Sequence, residues 1–212
     1  MTLRVLFLGE GTSDSGIVSH IERHGLRRGI DVVVTDPAVE RLGLKGDGTL
    51  RGKLQAVLRF GGDYDVIVIH RDADNQGRQC RVDEVRAAVR DAKPTAACVP
   101  VIPVRMTEAW LLVDERQIRE VAGNPNGKKA LGLPDAAKVE MVSDPKALLK
   151  DVLVRAADVT GRRREKFNQR FPQHRHQLLE RIDPDGQICK VPSWNAFVQD
   201  LDAGLSEASS AK

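Results

Sequence analysis

Cysteine, tyrosine and long apolar runs are all scarce in this chain of 212 residues. Its three cysteines, Cys80, Cys98 and Cys189, are odd in number and far apart, so they form neither a disulfide framework nor a CxxC zinc site. They are expected to be small buried apolar thiols, kept reduced in a cytosol. No apolar stretch approaches the roughly 20 residues that span a bilayer, so no membrane partner is expected. The N-terminal MTLRVLFLGEGTSD is too short and too soon acidic for a signal peptide, which favours a cytoplasmic location. Net charge is only +3, so bulk charge does not identify a nucleic-acid binder; such a role must rest on where the charges sit. There is no G-x-x-x-x-G-K-[ST] loop. GEGTSDSG begins like G-x-G-x-x-G, but Asp14 stands where the third glycine belongs, and Glu10 would oppose a pyrophosphate.

Four continuous apolar runs are present: RVLFLGEG, IDVVVTDP, DVIVIHRDAD and ACVPVIPVR. Each is bounded by glycine, proline or acidic residues and is expected to be a buried strand. Amphipathic segments separate them. SDSGIVSHIERHGLRRG places Ile17, Ile21 and Leu26 near one helical face, with Ser13 or Asp14 as a cap. The glycine-rich loop GLKGDGT precedes a helix carrying Leu50, Leu54, Val57 and Leu58, and RVDEVRAAVRDA carries Val82, Val85 and Val89. Pro100 and Pro103 favour an edge or irregular position for the fourth strand. TEAWLLVDERQIREVAG reads as one helix with Thr107 at its N-cap. This βαβαβαβ order predicts an α/β fold, a mostly parallel sheet flanked by helices.

The composition changes near residue 123. This predicts a core over residues 1–122 and a small, mainly helical C-terminal extension over 123–212, packed on the core and not independent. The extension opens with a polar loop, GNPNGKKALGLPDAAKVEMVSDPKA. A helix near PKALLKDVLVRAADVTG and the basic stretch RRREKFNQRFPQHRHQLLER follow. A closing helix begins within CKVPSWNAFVQDL, with Ser193 as its cap, and GLSEASSAK is expected to fray.

Ligands of open parallel sheets bind outside the carboxyl ends of the strands. Three predicted strand ends deliver acids to that edge: Glu10 and Asp14 after the first, Asp72 and Asp74 after the third, and Glu108 after the fourth. Spacing of two in an extended segment puts Asp72 and Asp74 on one side. Five carboxylates on one rim repel each other, and divalent cations would neutralise them. Their hard oxygens suit Mg²⁺ or Mn²⁺. Each acid alone has an ordinary structural alternative: a turn at Asp74-Asn75, a helix cap at Asp14, a first-turn acid at Glu108.

With a glutamate after strand one and D-x-D after strand three, residues 3–115 resemble the Toprim domain of topoisomerases, bacterial primases, RNA-maturing nucleases and overcoming-lysogenization-defect nucleases. Glu10, Asp72 and Asp74 match that motif, and Glu10 with Asp14 looks like the E-x-x-x-D/E pair of the last group. PVRMTEAWLLVD resembles the E-x-W-L-L-x-D segment of bacterial Toprim-like proteins often encoded beside ATPases and suspected in phage defence. The resemblance implies a Mg²⁺- or Mn²⁺-dependent nuclease of DNA or RNA that uses two ions. Glu10, Asp72, Asp74 and Glu108 would be catalytic, and these with Asp14 would be the metal ligands. It also implies nucleic acid as a partner and a separately encoded ATPase as another. Tyr64 lies before its strand, away from the acids, which disfavours topoisomerase chemistry. Two alternatives stay open: a non-catalytic subunit that binds nucleic acid or a partner protein, and a nucleotide phosphohydrolase. The sequence leaves the oligomeric state open.

GRRREKFNQR is the densest basic run. Arg162, Arg163, Arg164, Lys166 and Arg170 would grip phosphates or form a solvated helix face, and Lys190 is a further candidate for binding nucleic acid. The resemblance to the overcoming-lysogenization-defect nucleases also implies a downstream lysine, for which Lys166 and Lys190 are candidates. His174 and His176 are expected as a solvated pair, His70 as a satisfied structural histidine, and Phe167, Phe171, Trp110 and Trp194 as core.

Overall fold

A computed structural model describes residues 2–37, 49–59, 62–93 and 95–212. Apart from Thr49, the expected glycine-rich loop lies outside the described residues. The chain divides into two compact units, one of residues 1–102 with 196–212 and one of residues 103–195. The division expected after residue 122 therefore falls inside the second unit. The polar stretch after residue 123 is a connection within that unit, because residues 107–112 and 115–121 on one side of it pack against the 145–157 helix on the other.

The first unit holds four strands, β1 (Thr2–Leu8), β2 (Asp31–Thr35), β3 (Val66–His70) and β4 (Ala97–Val101). All pairings are parallel, in the order β2-β1-β3-β4. Every residue of β3 is buried, as its unbroken apolar sequence requires of a strand covered on both faces. β4 stands at the edge, where Pro100 cannot donate to a neighbour. Helices α1 (Val18–Arg27), α2 (Leu50–Arg59) and α3 (Arg78–Ala92) make the crossovers. Ile17 and Ile21, Leu54 and Val57, and Val82, Val85 and Val89 are buried, whereas Leu26 is 79% exposed.

The second unit contains α4 (Glu115–Val121), α5 (Pro145–Ala157), α6 (Gly161–Gln169) and α7 (Phe171–Glu180). Short 3-10 segments at Thr107–Leu112, Ala136–Met141 and Gln187–Lys190 join them. The single helix expected over residues 107–123 is in fact two elements. Asp114 breaks it by accepting from the Gln117 N–H at 3.1 Å and capping α4. Trp110 and Trp194 are both buried, as expected; they meet edge to face at 5.1 Å, and the Trp110 indole N–H donates to Ser193 Oγ at 2.8 Å. Ser193 is thus an acceptor for Trp110, and its own N–H donates to Glu140 Oε1 at 2.9 Å.

Helix α8 (Pro192–Ser210) begins in the second unit and ends in the first. It continues through the tail expected to fray, because Leu201, Leu205 and Ala208 bury one stripe. A Cβ on Gly204 would meet Val99 Cγ2 at 2.7 Å, so glycine allows α8 to lie close on β4. The cysteines are free, but Cys80 and Cys189 are exposed rather than buried, and Cys98 is half-buried. Cys189 sits on a short surface turn with its thiol donating to the Pro184 carbonyl at 3.0 Å. Among the described residues no helix is long and apolar enough to cross a membrane.

Candidate functional site

The sheet order creates a crevice by topology alone. From β1 the chain crosses to β2 on one side, and the next crossover brings β3 to the other side. The carboxyl ends of β1 and β3 therefore flank the switch point of the sheet, where ligands of open α/β sheets bind. Four of the five predicted acids stand here. Glu10 follows β1, and Asp14 lies in the 3-10 segment Thr12–Ile17. Asp72 and Asp74 follow β3.

Local geometry fixes each acid. The Asp14 carboxylate accepts from the Gly11 N–H at 3.1 Å, so the expected capping role is present. Gly9 permits this fold-back, since a Cβ there would meet Asp14 Cβ at 3.1 Å. Asp74 has φ +48°, in the left-handed region that aspartate tolerates better than most residues. Its carboxylate is 53% exposed.

Cations stand between the acids. His70, fully buried at the end of β3, places Nδ1 3.3 Å from Asp14 Oδ2 and Nε2 3.5 Å from Asp72 Oδ1. Burial alone would lower its pKa, but contact with Asp14 and Asp72 outweighs this and holds it at about 9. His70 is buried, as expected, and through these two contacts it ties Asp14 after β1 to Asp72 after β3. Arg71 Nε lies 2.9 Å from Glu10 Oε1, and Arg81 Nη2 lies 3.3 Å from Asp74 Oδ2. Glu84 contacts both arginines, Arg71 at 3.5 Å and Arg81 at 2.8 Å. Glu10 is pushed above the usual carboxylate range, first by burial and then by the charge of Asp72, with Asp74 adding to it and His70 and Arg71 opposing. Among the described residues, Glu10, Asp14, Asp72, Asp74 and Glu84 thus crowd around His70, Arg71 and Arg81. Among the described residues no three His, Cys, Asp or Glu side chains are drawn together as a ligand set.

The remaining predicted residues lie in the second unit. Glu108, expected as a fifth ligand, is buried, and its Oε1 accepts from Arg175 Nε at 3.0 Å. Arg162, Arg163, Arg164 and Lys166 are exposed on α6, a helix with no buried residue, and Arg170 is exposed at its C-cap. Lys190 is exposed in the segment Gln187–Lys190. His174 departs from the expected solvated pair: it is buried, its ring 4.4 Å from that of Phe167. Phe171 is buried and Phe167 only half-buried. His176 is half-buried, 3.4 Å from Glu180.

Sequence reasoning missed Arg71, Arg81 and Glu84. Arg71 is embedded in the HRDAD string at the end of the third strand. Arg81 and Glu84, i and i+3 in α3, look like any solvated helical pair until the helix start is known to face the strand ends.

Residues 9–202 match the family model described as Domain of unknown function (DUF4276). The chain belongs to the DUF4276 family. No curated protein and no solved structure matches it. The family match runs through both units and takes in the strand-end acids, Glu108 and the basic helix α6.

Proposed function

We propose that the chain is a Toprim-like, metal-dependent nuclease that hydrolyses phosphodiester bonds in DNA or RNA at the β1/β3 switch point. The observation that carries this is the delivery of Glu10, Asp14, Asp72 and Asp74 to that point by the ends of β1 and β3. The donor set fits Mg²⁺ or Mn²⁺: hard carboxylate oxygens and no thiolate. The proton affinity of Glu10 is raised first by burial and then by the charge of Asp72, and a divalent cation would relieve the second of these. When bound, such ions activate an attacking water and stabilise charge on the phosphoryl and leaving oxygens.

The chain's own residues supply binding and orientation. Glu10, Asp14, Asp72 and Asp74 would hold the ions. His70, charged at neutral pH, fixes the orientations of Asp14 and Asp72. The exposed cations of α6 would bind backbone phosphates in a salt-dependent way. The association with a separate ATPase in phage defence, like the cytoplasmic setting, is part of this proposal and rests on the sequence resemblance.

The direct test is cleavage of single- and double-stranded DNA and RNA with Mg²⁺ or Mn²⁺. Activity in the wild type that disappears in Asp72→Ala/Asp74→Ala supports the proposal, and activity that survives the double substitution overturns the assignment of these residues. A second reading, a non-catalytic nucleic-acid or partner-binding subunit, is favoured by one observation: the acids already have internal cation partners. Binding without turnover under every divalent ion would select it.

A further inference from the structure

Two arginines at the acid rim have no part in the hydrolysis described above. Arg71 follows β3, and Arg81 lies at the end of the first turn of α3. Glu84 joins them, with Oε1 3.5 Å from Arg71 Nη1 and Oε2 2.8 Å from Arg81 Nη1. Each guanidinium also leans on a proposed ion ligand, Arg71 on Glu10 at 2.9 Å and Arg81 on Asp74 at 3.3 Å. These contacts leave donors poorly used. The Nε of each arginine is buried without an aligned hydrogen bond, although the Arg71 Nε lies close to a carboxylate oxygen. A guanidinium carries five N–H donors in a planar fork that matches a phosphate as well as a carboxylate. Here two such forks, largely shielded from water, stand beside acids in excess.

We propose that Arg71 and Arg81 are phosphate-binding residues, stored by Glu84 against Glu10 and Asp74 until a divalent cation takes those carboxylates. This rests on the acids binding a divalent cation. The cation and the two guanidiniums compete for the same oxygens. Once the cation holds Glu10 and Asp74, only Glu84 retains the arginines, and their freed N–H groups turn to a nucleic-acid phosphate. Cation and nucleic acid then bind with positive coupling, each strengthening the other by the same factor. Without the cation, the rim is self-paired and grips nucleic acid weakly.

The test measures Mn²⁺ affinity by calorimetry. It also measures anisotropy of short fluorescein-labelled DNA and RNA oligonucleotides, in EDTA and in Ca²⁺, with thermal melts to confirm folding. In Arg71→Ala, Mn²⁺ should bind about three- to tenfold more tightly, because a competing cation is gone. Ca²⁺-dependent oligonucleotide binding should weaken about tenfold in the same variant. Arg81→Lys should keep wild-type Mn²⁺ affinity yet lose oligonucleotide affinity, since an ammonium competes for carboxylates but cannot fork onto a phosphate. Glu84→Gln should strengthen oligonucleotide binding in EDTA by releasing both arginines. If Arg71→Ala melts early, Arg71→Lys takes its place with the outcome given for Arg81→Lys. Wild-type Mn²⁺ binding with unchanged or weaker Mn²⁺ affinity in Arg71→Ala overturns the storage role alone. So does oligonucleotide affinity that none of the substitutions alters. A wild type that binds no Mn²⁺ overturns the metal reading itself.

Discussion

Both units bury carboxylates beside cations, and they do so by opposite rules. In the second unit Glu108 and Arg175 meet at 3.0 Å, with side-chain exposures of 6% and 8%. In the first unit Glu10, Asp14, Asp72, Asp74 and Glu84 share His70, Arg71 and Arg81, and the acids range from buried Asp14 to half-exposed Asp74. A matched buried pair hides its charge and serves the fold. An acid-rich cluster open to solvent leaves negative charge unbalanced, which costs stability unless a ligand relieves it. Strand-end position alone does not separate the two cases; the crowding of acids at the ends of β1 and β3 and their access to solvent do.

The comparison breaks first at Glu108. Glu108→Gln removes the carboxylate that meets buried Arg175 at 3.0 Å and should destabilise the protein by about 3–5 kcal/mol, with Mn²⁺ affinity unchanged. Denaturant melts and calorimetry on one sample would check both halves. Loss of Mn²⁺ binding in a still-folded Glu108→Gln would return Glu108 to the ligand set.

The next effect is a pH dependence of opposite sign at two histidines. The folded-state pKa of His70 is raised from 6.5 to about 9. Its contribution is therefore fully present below pH 6.5 and lost as pH rises through about 9, on the order of 3 kcal/mol in EDTA. For His174 the pKa is lowered, by burial and then by Arg170. Its contribution is present above pH 6.5 and lost as pH falls. Melting against pH for His70→Asn and His174→Asn should remove the alkaline and the acid slope respectively.

A smaller effect sharpens the point about unbalanced charge. Because the folded state raises the Glu10 pKa, ionised Glu10 opposes folding above that pKa, and the opposition fades as pH falls. Glu10→Gln should raise the metal-free Tm by about 1–3 °C and abolish any stabilisation by Mn²⁺. The smallest effect concerns α6. Arg162→Ala/Arg163→Ala should weaken nucleic-acid binding at low salt. The slope of log affinity against log salt should become shallower by about one for each phosphate no longer neutralised.

Much of the first unit was legible in the sequence. Unbroken β-branched runs such as VIVI can only be strands buried on both faces, and glycine and acids mark where they end. The parallel pairing follows from the crossovers, and with it the edge to which Glu10, Asp14, Asp72 and Asp74 are delivered; the strand order β2-β1-β3-β4 was not legible. The partners of these acids were not legible. Arg81 and Glu84 acquire meaning only from where α3 starts, which Gly77 sets at φ +83°. Glu108 pairs with a residue 67 positions away, a distance at which spacing carries no signal. Nor was the tail legible: its serines and alanines suggest fraying, whereas three residues at helical spacing, Leu201, Leu205 and Ala208, are enough to hold it.

The central question is whether the switch-point acids hold a divalent cation. Calorimetric titration of Mn²⁺ into the wild type and into Asp72→Asn/Asp74→Asn, both confirmed folded by melting, addresses this most directly. Saturable binding to the wild type that is lost in the double variant is the predicted result. Heats that are absent from both, or equal in both, would contradict the metal reading and leave the acids as internal partners of His70, Arg71 and Arg81.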